Sequence, residues 1–201
     1  MSKRLFDLLA STLGLLLLSP LLVAIGVWIR CDSAGPALYR QQRVGRGGTL
    51  FWIYKFRTMR AECAKSAASA QLTVGRDYRI TRAGHFLRAY KIDELPQLFN
   101  VIQGSMSLVG PRPEVPRYVA CYPEAVRREV LSVAPGITDW ASIEYRQENA
   151  ILGASIDPEQ VYIDQVLPAK LVFYQRYVRE RTFWLDLRII GGTLSALVRS
   201  R

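Results

Sequence analysis

The chain has a single histidine, His85, and only three cysteines, Cys31, Cys63 and Cys121, none near another. That scarcity leaves neither a zinc ligand set nor a disulfide framework, and it suits a reducing compartment. Acidic residues are few as well, 17 against 27 Lys and Arg, and the deficit lies in the first half. Residues 1–91 carry 15 basic and 4 acidic side chains, residues 92–201 carry 12 and 13. The first half therefore faces an anion, and nucleic acid, an anionic lipid surface or a phosphorylated small substrate would each serve. With 14 Gly and 10 Pro in 201 residues the chain is not low-complexity, and it contains no internal repeat. Apolar residues are abundant, at 50 %, enough for one domain with a packed core.

The 22 residues from Leu8 to Ile29 carry no charge and are bounded by Asp7 and Arg30. At about 1.5 Å per residue they form roughly 33 Å of helix, against a bilayer core of about 30 Å. A cleavable signal peptide fits poorly, because Arg30-Cys31-Asp32 stands where a small-residue cleavage site belongs. Pro20, in mid-segment, removes an amide donor and crowds the Leu16 carbonyl, so a bend is expected at Ser19-Pro20. The Ser19 hydroxyl is placed to satisfy a carbonyl freed near Leu15 or Leu16. Two geometries follow. The helix either spans with its basic flank, residues 30–60, held cytoplasmic, or enters and returns on one face.

Residues 37–60 read as a hairpin around Gly45-Arg46-Gly47-Gly48, with Lys55 and Arg57 on one face of the second strand. Residues 61–76, rich in Ala and Ser, read as a mobile loop or weak helix. A helical stretch after Gly84 carries Arg88, and Pro96 marks the first turn of a new helix from about Asp93 to Ile102, stopped by Gly104. Asp93 then falls at or near the N-cap, a structural role that Asp often fills. Its pairing with Glu94, after Arg88 and Lys91, makes an electrostatically distinctive cluster. Met106–Val109 reads as a short strand entering Gly110-Pro111-Arg112-Pro113-Glu114, whose prolines stiffen the loop that carries Arg112. Pro116–Val133 reads as one amphipathic helix with Tyr118, Val119, Tyr122, Val126 and Val130 on its core stripe, and residues 134–138 as a turn. Val161–Arg181 is a charged amphipathic helix. A last stripe of Leu187, Ile190, Leu194, Leu197 and Val198, with Trp184, Arg188, Arg199 and Arg201, suits either core burial or a helix in a membrane interface.

Lys55, Arg57, Arg88 and Arg112 are the cations available to hold a diphosphate. A carboxylate pair suits Mg²⁺, which takes oxygen ligands and shares them with substrate phosphate, and a carboxylate is also able to attack phosphorus itself.

Lys55-Phe56-Arg57-Thr58-Met59, Leu87-Arg88 through Ile92-Asp93-Glu94-Leu95-Pro96-Gln97-Leu98, Ser107 through Glu114, and Pro135-Gly136-Ile137-Thr138 together resemble the bacterial sugar transferase family, the monotopic phosphoglycosyl transferases. The resemblance runs in order along nearly the whole chain and includes the Ser19-Pro20 break. It implies transfer of a sugar 1-phosphate from a UDP-sugar to polyprenol (undecaprenyl) phosphate with release of UMP. By resemblance Asp93 is the nucleophile of a covalent phospho-sugar intermediate, and Glu94 joins it in holding Mg²⁺. Lys55, Arg57, Thr58, Arg88, Pro111, Arg112 and Pro113 would contact the phosphates or uridine. The implied fold is α/β of the α+β kind, mostly helical with a short hairpin or small sheet. Residues 1–32 would form a re-entrant membrane helix and 33–201 a catalytic domain with interfacial amphipathic helices, on the cytoplasmic face of the bacterial inner membrane. The product would feed glycoconjugate synthesis, such as exopolysaccharide.

Tyr90-Lys91-Ile92 and Asp139-Trp140-Ala141-Ser142 depart from the commonest family pattern and bear on sugar specificity. Without the extra membrane helices of longer members, the chain resembles the minimal catalytic form, with a homodimer left open. A non-catalytic, membrane-anchored basic module is the rival reading, and it leaves Asp93 and Glu94 without a task. A nucleic-acid binder needs no apolar 22-residue segment, so nucleic acid is not expected as a partner.

Overall fold

The computed structural model describes residues 3–60, 77–144, 152–153 and 155–198. The loop or weak helix expected at 61–76 lies outside these residues, as do Cys63, Arg199 and Arg201. Helix α1 spans Lys3–Asp32, followed by strands β1 (Leu38–Val44) and β2 (Leu50–Phe56) and helix α2 (Arg82–Ala89). A 3₁₀ turn, Ile92–Glu94, precedes α3 (Gln97–Gln103), β3 (Ser107–Val109), α4 (Pro116–Val119), α5 (Glu124–Val130) and β4 (Gly136–Thr138). Helices α6 (Trp140–Glu144), α7 (Pro158–Val161), α8 (Leu167–Glu180) and α9 (Phe183–Val198) complete the chain, with a π-helical turn, Tyr162–Val166, joining α7 to α8. The described residues are thus mostly helical with two short strand pairs, as the α+β expectation required.

Helix α1 runs unbroken through Pro20, where a break was expected. The repair is the one its neighbour offers: the Ser19 hydroxyl donates to the Leu16 carbonyl at 2.8 Å, the acceptor that a residue-20 amide would have used. Leu16, Leu17 and Val23 are 69, 71 and 67 % exposed, so the middle of α1 presents apolar surface to its surroundings. Its ends are held. Lys3 reaches Asp186, Arg4 donates to the Val101 and Ile102 carbonyls, and Asp7 accepts from Ser107 and Leu108. At the other end Ile25 and Ile29 pack with Phe56 and Leu87.

Strands β1 and β2 are antiparallel, with Tyr39 opposite Lys55 and Arg43 opposite Phe51. The side-chain amide of Asn100 on α3 bonds the β2 backbone twice, donating to the Trp52 carbonyl at 2.7 Å and accepting from the Tyr54 amide at 3.0 Å. That double bond docks β2 beside the turn that carries Asp93 and Glu94.

Residues 134–138, expected to be a turn, contain β4, which pairs in parallel with β3. A Cβ at Gly136 would lie 2.1 Å from the Gly110 nitrogen, so the glycine marks close approach of two backbones rather than chain reversal. The helix expected over 116–133 is two short helices, because Pro123 cannot donate in a helix interior. Its stripe does form core: Tyr118, Val119, Tyr122 and Val130 are buried, with Val126 packed against them. The helix expected from Val161 starts at Pro158, where Asp157 caps the Glu159 and Gln160 amides. Helix α9 divides by face: Ile189 is buried with Leu185 and Ile190 against Val109 and Tyr177, whereas Trp184 and Leu194 are 77 and 60 % exposed.

Candidate active site

Asp93 and Glu94 sit on the 3₁₀ turn, ahead of α3, and both are buried. The chain enters this turn through Lys91, at φ 57 the single described non-glycine residue with positive φ. A left-handed lysine costs about 1 kcal/mol, strain of the kind that gathers at functional sites. Asp93 is not the helix cap that its position suggested: α3 takes Pro96 as its N-cap residue, and the buried Oδ1 of Asp93 accepts no hydrogen bond. The structural role that competes with chemistry at this residue is therefore absent.

Glu94 is gripped from two sides. Lys55 Nζ donates to Oε1 at 2.7 Å, while Arg112 donates through one nitrogen to Oε2 at 3.2 Å and through the other to Oε1. Burial opposes ionisation of Glu94, but the charges of Arg112 and Lys55 hold its carboxyl well below the usual carboxylate range. Asp93 moves the other way. Burial, with the adjacent Glu94 charge, pushes its carboxyl up, against the pull of Lys55, Lys91 and Arg88. Two neighbouring carboxylates are thus differentiated, one locked as an ion-pair hub and one with an uncommitted oxygen.

The remaining expected residues divide. Arg88 Nε donates to Thr58 Oγ1 at 2.8 Å, and the charge of Asp93 acts on this guanidinium. The contact depends on Gly84, where a Cβ would lie 2.1 Å from the Thr58 carbonyl oxygen, so α2 seats directly on that backbone. Pro111 and Pro113 are buried and brace Arg112, the Pro111 carbonyl accepting from the Gly136 amide at 3.0 Å. Arg57, expected beside Lys55, goes elsewhere. Its guanidinium donates to the Ala34, Ser33 and Ile29 carbonyls at 2.8, 2.6 and 3.2 Å and to Ser33 Oγ at 2.9 Å. The physical reason is that β2 ends at Phe56, so strand alternation no longer governs Arg57, and the carbonyls left open at the end of α1 take its charge.

Arg43 escaped the sequence reading. It donates to the Pro113 carbonyl at 3.1 Å and pairs with Glu114 at 3.5 Å, fastening the Arg112 loop to β1, and Tyr162 bonds the second Glu114 oxygen at 2.8 Å. Strand register carried the available signal, since Arg43, Gln41 and Lys55 share one face of the hairpin.

For a divalent cation the pair is unequal: both Glu94 oxygens already accept from Lys55 and Arg112, and Glu94 would have to exchange one of these bonds for the metal. Asp93 offers a buried oxygen with no donor, and the described residues hold no cluster of three or more metal-ligating side chains. Two carboxylates completed by substrate phosphate is a donor set of the Mg²⁺ type.

The chain is similar to known proteins along its whole length. A family model described as bacterial sugar transferase matches residues 1–200. The chain is 40 % identical over its whole length to the undecaprenyl-phosphate glucose phosphotransferase of Komagataeibacter xylinus. It is 37 % identical, over 98 % of its length, to the UDP-N-acetylgalactosamine-undecaprenyl-phosphate N-acetylgalactosaminephosphotransferase of Aeromonas hydrophila. It spans 36 and 43 % of the lengths of those two relatives. The exopolysaccharide production protein PSS of Rhizobium leguminosarum bv. phaseoli is 36 % identical over 99 % of the chain, which covers 96 % of that relative. With the match extending from the apolar helix α1 through the Asp93–Glu94 cluster to the last helix, the chain belongs to the bacterial sugar transferase family.

Proposed function

We propose that the protein transfers a sugar 1-phosphate from a UDP-sugar to undecaprenyl phosphate at the cytoplasmic face of the bacterial inner membrane. The observation that carries this reading is the contrast within the carboxylate pair: Glu94 is committed to Lys55 and Arg112, while Asp93 Oδ1 is buried with no bonding partner. A free carboxylate oxygen amid cations suits attack on a diphosphate. The Asp93 oxygen forms a bond to the sugar-bearing phosphorus as the bond from that phosphorus to the bridging oxygen breaks, and UMP departs with the electron pair. A phosphate oxygen of the lipid then attacks the same phosphorus and displaces the Asp93 carboxylate. Lys55, Arg88 and Arg112 supply positive charge to the phosphates, with Thr58 orienting Arg88. Mg²⁺ held by Asp93 and Glu94 would neutralise diphosphate charge when bound.

The same reading makes α1 re-entrant. A helix crossing the bilayer cannot have both ends bound to one domain on one side, and α1 is tied at Lys3, Arg4 and Asp7 as well as at Ile29. Exposed aromatics flank both ends: Trp28 packs against Phe86 and Phe86 against Tyr90 at one, Phe6 against Phe183 at the other, with Trp184 beside it. Aromatic side chains at the ends of an apolar helix suit headgroup layers, and the tethering of both ends to one domain assigns them to the same one.

The test is UMP release from a panel of UDP-sugars with undecaprenyl phosphate and Mg²⁺, in wild type and Asp93→Asn. Release from one or two donors, absent in the variant and in EDTA, is expected. Undiminished release by folded Asp93→Asn overturns the nucleophile. For the helix, an impermeant maleimide should label native Cys31 and a Ser2→Cys variant from the same face, and labelling from opposite faces rejects re-entry.

A further inference from the structure

Each segment that brings a charged group to the site is fastened to α1 within a few residues. Arg57, two residues beyond Lys55, holds the carbonyls at the C-terminal end of α1. Arg4 holds the last carbonyls of α3, the helix that follows Asp93 and Glu94, at 2.7 and 3.1 Å. Asp7 is 2 % exposed; it accepts from the Ser107 hydroxyl at 2.8 Å and the Leu108 amide at 3.3 Å, on the strand that runs into the Arg112 loop. Lys3 meets the same strand indirectly: it pairs with Asp186 at 2.6 Å, and the Tyr177 hydroxyl lies 2.8 Å from Asp186 and 3.0 Å from the Val109 carbonyl.

The chemistry of Asp7 needs a reason beyond anchoring. A buried carboxylate costs several kcal/mol unless donors meet it, and an apolar residue would serve insertion better. Its two donors show what it does. Among the described residues β3 pairs with β4 along one edge only, and the Leu108 amide faces the open edge, where no further strand bonds it. Asp7 takes the place of that strand.

We propose that Asp7 is a positioning residue for Arg112: through Ser107 and Leu108 it fixes β3 on the membrane helix, and so fixes where the loop presents its guanidinium to the donor diphosphate. The inference rests on the reading of Arg112 as a donor-binding group. Lys3, Asp186 and Tyr177 form a second brace on the same strand, three residues before Arg112. Seating α1 in the bilayer and aligning the site are then one event.

A double-mutant cycle on the full chain in detergent or nanodiscs tests this, with UMP release from the preferred UDP-sugar as the readout and melting temperature beside it. Asp7→Ala should lower kcat/KM for the donor about tenfold in the wild-type background, mainly through KM, because small misplacements of binding groups are costly. In the Arg112→Ala background the same substitution should cost less than about twofold, while the melting temperature falls equally in both. A merely structural Asp7 gives equal factors in the two backgrounds, and that result, or an unchanged kcat/KM in Asp7→Ala, overturns the proposal. If Asp7→Ala does not fold, Ser107→Ala, which removes one hydroxyl, carries the same cycle and the same two outcomes. Full donor turnover by Arg112→Ala alone removes the role of Arg112 and this inference with it, and that single variant separates the two failures.

Discussion

Arg57 separates what its place beside Lys55 suggests from what its contacts do. Replacing this residue, only 5 % exposed, with alanine leaves the Ser33 and Ala34 carbonyls and the Ser33 hydroxyl just past α1 without that donor, whereas the Ile29 carbonyl keeps the Ser33 amide. Bonds from a charged donor are worth about 1.5–3 kcal/mol each. Counting the two shortest backbone contacts, to Ser33 and Ala34, the loss comes to roughly 3–5 kcal/mol once water reaches the freed carbonyls. For a chain of 201 residues, with about 2–4 °C per kcal/mol, the melting temperature should fall by roughly 6–20 °C. The measurement is thermal unfolding in detergent by tryptophan fluorescence, paired with the donor KM taken well below the transition. Arg57→Ala should melt early with an unchanged KM, because the Tyr39–Lys55 strand pairing and the two Asn100 bonds to β2 still hold Lys55 in place, and Arg57→Lys should recover part of the loss, since one ammonium replaces a fork. A variant that melts with wild type but binds donor poorly would refute this account and return Arg57 to the diphosphate.

Asp93→Asn should abolish UMP release yet melt above wild type at neutral pH. A carboxyl whose pKa is raised on folding loses stability as pH rises past its ordinary value of 3.8, and the amide removes that penalty. Glu94 has the opposite sign: its depressed pKa contributes stability that is complete above its ordinary value of 4.5 and is lost as pH falls through the folded value. Glu94→Gln should therefore melt earlier at neutral pH and show a flatter acid limb, and parallel acid limbs in the two proteins would count against the Lys55–Glu94–Arg112 hub. Arg112→Lys should lose about tenfold in donor kcat/KM, because a point charge cannot reproduce two-nitrogen binding; wild-type kinetics would show that the fork is dispensable.

The cluster was legible where local rules carry it. Alternation along the second strand put Lys55 among the candidate cations on one face, Pro96 marked the start of a new element, and two prolines announced a rigid Arg112 loop. The same rules failed where their domain ended. Arg57 lies past the last strand residue, so the period of two no longer aims it. Asp93 looked like a cap because caps favour aspartate, but the helix starts four residues later. Gly136 carries the composition of a turn, and only the partner backbone, 26 residues earlier at Gly110, shows why a glycine stands there. Arg43, Asn100 and Asp7 act through contacts 46 to 101 residues away, distances at which hydropathy and spacing hold no signal.

The Lys3–Asp186 pair joins residues 183 apart and sets the order in which the molecule is completed. At a translation rate of about 5–20 residues per second, roughly 10–40 s separate the synthesis of its two partners. During that interval α1 gains its partners in chain order, Arg57 at its C-terminal end, the Val101 and Ile102 carbonyls for Arg4, then Ser107 and Leu108 for Asp7, and Lys3 is the last of these groups to be met. The last helix closes the fold against an apolar helix that the rest of the chain already holds at both ends. Loss of α9 would leave Lys3 without its counter-ion while Arg4 and Asp7 keep theirs, so the first turns of α1 would be held by β3 and α3 alone.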